Sequence, residues 1–131
     1  MEKTHIKPFK ACAKTAKMVM VAHLHCTCFE KDEIPTSLSK NAISYLRNSL
    51  GFDGVIISDD MIMKGVSKFG VQQAIEMGIR ACINMFIYRD STPIDAIEKI
   101  SQKAESDSEL AQKIEESYER IIQLKSSLLV D

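Results

Sequence analysis

The 131-residue chain has no excess of basic charge, no long apolar run and no spaced cysteine framework. Lys and Arg number 17 against 18 Asp and Glu, for a formal charge of −1, so nothing in the composition offers the basic footprint of a nucleic-acid binder. Nowhere do about 18 apolar residues run together, and no membrane span is expected. Met1-Glu2-Lys3-Thr4-His5 leads into no apolar segment of the signal-peptide kind. The cysteines Cys12, Cys26, Cys28 and Cys82 are expected to be reduced thiols in a cytoplasmic protein. No internal repeat or low-complexity tract stands out. The length suits a single domain over 1–131, about half of a usual (β/α)8 barrel of ~250 residues.

What is present is an alternation of helix and strand patterns. A short helix is expected over Pro8–Ala16, with Phe9, Cys12, Ala13 and Ala16 on one face. The run Met18-Val19-Met20-Val21-Ala22 reads as a strand covered on both faces, ending at His23. After a loop over 24–38, Ser39 can cap a helix to Leu50, and Gly51 stands where a helix C-cap belongs. Val55–Ser58 is the second strand, followed by a loop to Gly70. Val71, Ala74, Ile75, Gly78, Ile79 and Cys82 carry helical spacing, and Ile83–Tyr88 reads as a third strand. Thr92-Pro93-Ile94-Asp95 is a helix start, with Thr92 as cap and the helix reaching about Lys103. The acidic turn 105–109 opens a last helix striped by Leu110, Ile114, Tyr118, Ile121 and Leu128.

Three strand–helix units of this kind imply an α/β fold with a parallel sheet, whose site lies at the C-terminal strand ends. Those ends are His23, Asp59 and the segment 88–90, so His23 and Asp59 should share one rim. The decisive stretch is 51–63, where Val55-Ile56-Ile57 stops abruptly at Asp59 and Asp60. A buried strand delivering an acid at its C-terminal end builds active sites in parallel folds. Ser58 or an Asp capping the next helix explains the local pattern equally well.

The order of several motifs adds to this. Lys7-Pro8-Phe9-Lys10, Val19-Met20-Val21-Ala22-His23 and Pro35-Thr36-Ser37-Leu38-Ser39 precede Leu46-Arg47 and the block from Gly51 to Asp60, with Met63 three residues beyond. Arg120-Ile121-Ile122-Gln123-Leu124-Lys125 closes the series. Together they resemble glycoside hydrolase family 3, in its bacterial β-N-acetylglucosaminidase branch, over about residues 6 to 125. The resemblance implies a partial (β/α)8 barrel, about its last three βα units. It implies a retaining glycosidase in which Asp59 is the nucleophile, attacking the anomeric carbon to form a glycosyl-enzyme that water releases. Ser58 and nearby backbone amides are expected to donate to this carboxylate, and Asp60 is expected to cap or support. His23 and Met63 map to positions near the substrate. No cofactor is implied, and the substrate would be a carbohydrate containing N-acetylglucosamine, such as fragments from peptidoglycan recycling.

The general acid/base of that branch is a histidine in a "KH-x-PG" loop, and none of His5, His23 or His25 stands in such a sequence. A lone chain is therefore expected to be inactive, and either to self-associate or to dock with a complementing N-terminal half-barrel. Two departures from the family pattern concern "AG-x-D" turns. One now reads Ala81-Cys82-Ile83-Asn84, and the other is replaced around 14–17. His23, His25, Cys26 and Cys28 also gather four metal-ligand types in six residues. The Cys-x-Cys spacing differs from the usual Cys-x2-Cys and no histidine follows, so they are read as loop residues without a metal.

Overall fold

The computed structural model describes residues 2–89 and 93–129. Three parallel strands lie side by side in chain order: β1 (Met18–Val21), β2 (Val55–Asp60) and β3 (Met85–Ile87). β1 pairs with β2 from Met18 opposite Val55 to Val21 opposite Ser58. β2 pairs with β3 at Ile57–Met85 and Asp60–Ile87, three steps against two, which makes a β-bulge. A short α1 (Lys7–Cys12) precedes β1, α2 (Lys40–Ser44) links β1 to β2, and α3 (Lys64–Ser67) and α4 (Val71–Arg80) link β2 to β3. α5 (Ile94–Ser106) and α6 (Ser108–Leu128) follow. Among the described residues no helix is long and apolar enough to cross a membrane.

Among the described residues, the helix ends expected at Ser39, Gly51 and the acidic turn form. Ser39 Oγ accepts the Ala42 amide at 3.0 Å, and Gly51 takes φ +69° where α2's helical path ends. In the acidic turn, Asp107 opens α6 by accepting the Leu110 amide at 3.0 Å. Thr92 and Asp90 lie outside the described residues.

Elsewhere the structure departs from the sequence reading. The first helix stops at Cys12, and of its expected face only Ala13 is buried, while Phe9 is 58% exposed. β1 is covered on one side only. Side chains alternate along a strand, so Val19 and Val21 pack toward Ile43, Phe52 and Ile56, while Met20 points the other way and is 56% exposed. α2 passes at Tyr45 into a wider π turn, Tyr45–Ser49. β2 extends through Asp60, and the loop after it holds α3, whose Val66 is buried. Burying Phe52, Ile56 and Ile83 contributes roughly 1.5–3 kcal/mol each.

At the N-terminal edge of the sheet the half-buried Arg47 guanidinium gathers the chain. Its Nη1 donates to the carbonyls of Phe52 (3.1 Å) and Gly54 (2.6 Å), and its Nη2 to Asn84 Oδ1 (2.8 Å). Asn84 Oδ1 also accepts the Ile56 amide, and its Nδ2 donates to Ser117 of α6. Burial, with Arg120 nearby, pulls the Arg47 pKa down to about 10, still protonated at neutral pH. Arg120 of α6 pairs with Asp53, ahead of β2.

A second charged cluster locks α4 to the α5–α6 corner. Arg80 binds Glu76 and Asp107, and Lys103 binds Glu76 at 2.7 Å. Lys103, then Arg80, hold the Glu76 carboxyl below its ordinary range, and Arg80 does the same for Asp107.

Two outcomes follow. Cys82, at the place of the family's glycine, has φ +72°, a conformation that costs a non-glycine residue about 1–2 kcal/mol. Cys82→Gly is expected to raise stability by about 1 kcal/mol, less the packing of the lost thiol, read as a higher thermal midpoint. A lowered midpoint would count against strain at this turn. Glu76 and Asp107 bind protons less readily folded than unfolded. Their stabilisation is therefore full above the unfolded carboxyl range near pH 4 and fades as pH falls through the lower folded values. Glu76→Gln is expected to flatten the acid limb of the stability–pH curve below about pH 4. An unchanged limb would refute this role for Glu76.

Candidate functional site

The C-terminal strand ends gather the residues marked by sequence. Asp59 and Asp60 finish β2, His23 stands two residues beyond β1, and Met63 lies at the start of α3. The bulge falls between Ile57 and Asp60. An extra residue there bends the strand and re-aims the side chains that follow.

Asp59 is half-buried, and its Oδ1 accepts the Asp60 amide at 2.8 Å. Ser58 is fully buried, but its hydroxyl donates to the Asp59 backbone carbonyl at 2.7 Å rather than to the carboxylate. That corrects the expectation of a Ser58 bond to the acid. With its hydroxyl turned to the backbone, Ser58 stiffens the strand end and leaves the carboxylate to the neighbouring amide. Asp60 takes the supporting part. Its Oδ1 accepts the Ile62 amide at 3.2 Å, and its Oδ2 pairs with Arg89, beyond β3, at 3.2 Å.

Both ring nitrogens of His23 are engaged within the protein. Nε2 donates to the Asp60 carbonyl at 3.0 Å, so in the neutral ring Nδ1 accepts from the buried Ser37 hydroxyl at 2.6 Å. The ring thus ties the end of β2 to the turn Thr36–Leu38. Met63 is 44% exposed and its amide donates to the Asp60 carbonyl at 3.0 Å. The His23 ring and the Met63 amide therefore meet at the Asp60 carbonyl, next to Asp59.

The sequence placed Ser37 in a turn motif, Arg89 at a strand end and Gly65 in a loop, but gave none of them a role at the site. A Cβ at Gly65 would come within 2.8 Å of the His23 carbonyl, so α3 approaches His23 only because no side chain intervenes. The signal was a glycine two residues after Met63, yet nothing local shows that its neighbour is a residue 42 positions earlier, His23. The His and Cys cluster does not converge on one point. His25 Nε2 lies 3.2 Å from the Glu30 carbonyl, while Cys26 and Cys28 contact each other. Among the described residues no group of three or more His, Cys, Asp or Glu is arranged to hold a metal ion. A hollow of about 480 Å³, lined mainly by Ile75, Phe86, Ile97, Ile100, Ile114 and Tyr118, includes none of Asp59, His23 or Met63.

The chain as a whole has known relatives. The β-hexosaminidase of Shewanella frigidimarina is 31% identical over 103 residues, 74% of this chain and 29% of that protein. The β-N-acetylglucosaminidase of Thermotoga maritima superposes with a TM-score of 0.78 at 30% identity, over 89% of this chain and 27% of that one. The β-N-acetylhexosaminidase of Beutenbergia cavernae shares the fold at TM-score 0.86 and 23% identity, over 92% of this chain and 37% of that one. The chain thus spans about a third of the length of these relatives. The model of the glycosyl hydrolase family 3 N-terminal domain matches residues 1–124, and the chain belongs to that family.

Proposed function

We propose that this chain is the last three βα units of a retaining β-N-acetylglucosaminidase barrel and carries its nucleophile, Asp59. The observation that supports this most is the half-buried Asp59 carboxyl at the end of β2, with one oxygen fixed by the Asp60 amide. A nucleophile must hold its attacking oxygen in line with the anomeric carbon, and a strand end fixed by neighbouring hydrogen bonds does so at small entropic cost. The free carboxylate oxygen forms the bond to the anomeric carbon as the leaving oxygen departs with a proton. Water then attacks the same carbon and releases Asp59. His23 acts as a positioning residue through the Asp60 carbonyl and Ser37. Met63 offers an apolar edge to the sugar.

The proton for the leaving group comes from outside this chain. The "KH-x-PG" loop is absent from the sequence, and the proposed substrate, an N-acetylglucosamine-containing glycan of the kind handled in peptidoglycan recycling, needs both halves of the site. The chain alone is expected to hydrolyse p-nitrophenyl-N-acetyl-β-glucosaminide no faster than buffer. Mixed with the N-terminal half-barrel of the Shewanella β-hexosaminidase, it is expected to gain activity, and Asp59→Asn should cut that by about ten-thousandfold or more. Turnover by the chain alone that survives Asp59→Asn would defeat the assignment.

A second reading, a non-enzymatic module that associates with another chain, is favoured by one observation. β1 is an edge strand that leaves Met18 and Met20 exposed on its uncovered side. Open edges and bare apolar faces invite pairing. Light scattering is expected to give a dimer mass that falls to the monomer on Met20→Lys. A strictly monomeric wild-type chain would remove this reading.

A further inference from the structure

We propose that Cys26 and Cys28 form a thiol–disulfide exchange site whose co-reactant is a small-molecule disulfide. The two Sγ atoms lie 2.8 Å apart, one thiol donating to the other. That is only about 0.8 Å beyond a sulfur–sulfur bond of roughly 2.05 Å. Cys28 is exposed and Cys26 half-exposed, so a dissolved disulfide reaches both.

The loop holds the pair together rather than leaving it to chance. The amides of Phe29 and Glu30 both donate to the Cys26 carbonyl, at 3.0 and 3.2 Å, and close a tight turn around the thiols. Bonds on either side pin that turn. The Thr36 amide donates to the Leu24 carbonyl at 2.8 Å, Asn41 Nδ2 to the Phe29 carbonyl at 3.2 Å, and Ser39 Oγ to the Glu30 carboxylate. The contact divides the labour between the sulfurs. Donation from Cys28 lowers the Cys26 pKa, and the same contact raises that of Cys28. The thiolate, which is the nucleophile, therefore forms more readily on Cys26 than on Cys28.

The Cys26 thiolate attacks one sulfur of the disulfide RSSR, forming Cys26–S–S–R and releasing RS⁻, which takes up a proton. Cys28 gives its proton to solvent and attacks Sγ of Cys26. The Cys26–Cys28 bond forms, and the second RS⁻ departs and is protonated. Two protein thiols are oxidised to one disulfide while one RSSR is reduced to two RSH.

Trypsin releases residues 18–31 as one peptide that holds Cys26 and Cys28 and excludes Cys12 and Cys82. The full chain is treated with oxidised glutathione, in buffer and in concentrated urea, then capped with iodoacetamide and mapped by mass. In buffer this peptide is expected to lose two hydrogens and carry neither cap nor glutathione. Closure should run about tenfold or more faster than in urea, where the turn is lost. Cys28→Ser should trap glutathione on Cys26. Separate glutathione adducts retained on both cysteines, equal closure rates in buffer and urea, or no adduct on Cys26 in Cys28→Ser would each overturn the proposal.

Discussion

One half-buried cation organises the sheet. The Arg47 guanidinium binds the carbonyls on either side of Asp53, and it holds Asn84, the residue before β3, which in turn bonds the flank of α6. Asn84 Oδ1 in turn fixes the Ile56 amide inside β2. A half-buried guanidinium has five donors to satisfy, and unsatisfied ones are costly. Meeting that demand with backbone carbonyls and one amide side chain sets how α2, β2 and β3 approach one another. Asn84 supplies a neutral acceptor, so the hub holds together without a full ion pair at this position.

Everything at the opposite edge depends on that hub. With β2 fixed at its start, its far end presents Ser58, Asp59 and Asp60 in a defined order, and the bulge beside β3 turns them. His23, Ser37 and Gly65 then close around the Asp60 carbonyl. The specific block of sequence from Leu46 to Asp60 therefore serves two ends. Arg47, Phe52, Asp53 and Gly54 build the clamp at the bottom, and only its last residues touch the rim.

Much of the fold was legible in the sequence because its signals are local. Ser39, Gly51 and the acidic turn before α6 act within one turn of their own position, so their caps were read correctly. The alternation of strands and helices was read from apolar periodicity and holds. The errors fall where local pattern is blind to what lies opposite. Met18 and Met20 look like core in sequence, yet among the described residues nothing covers their side of an edge strand. Phe9 carries the spacing of a buried face and is exposed for the same reason. Ser58 was expected to serve the Asp59 carboxylate, but rotamer and burial turned its hydroxyl to the backbone.

The sequence by itself determined the three strands and their alternation with helices, the ends at Ser39 and Gly51, the family and the acid at the end of β2. These rest on residue type and spacing along the chain. Only the tertiary structure decided that Arg120 meets Asp53, that Gly65 admits the close approach to His23, and that His23 spends both nitrogens on Ser37 and Asp60. It also decided that Cys26 and Cys28 touch rather than reach His23 and His25. Each is a contact between groups whose meeting depends on three-dimensional packing and side-chain direction, which no one-dimensional pattern encodes.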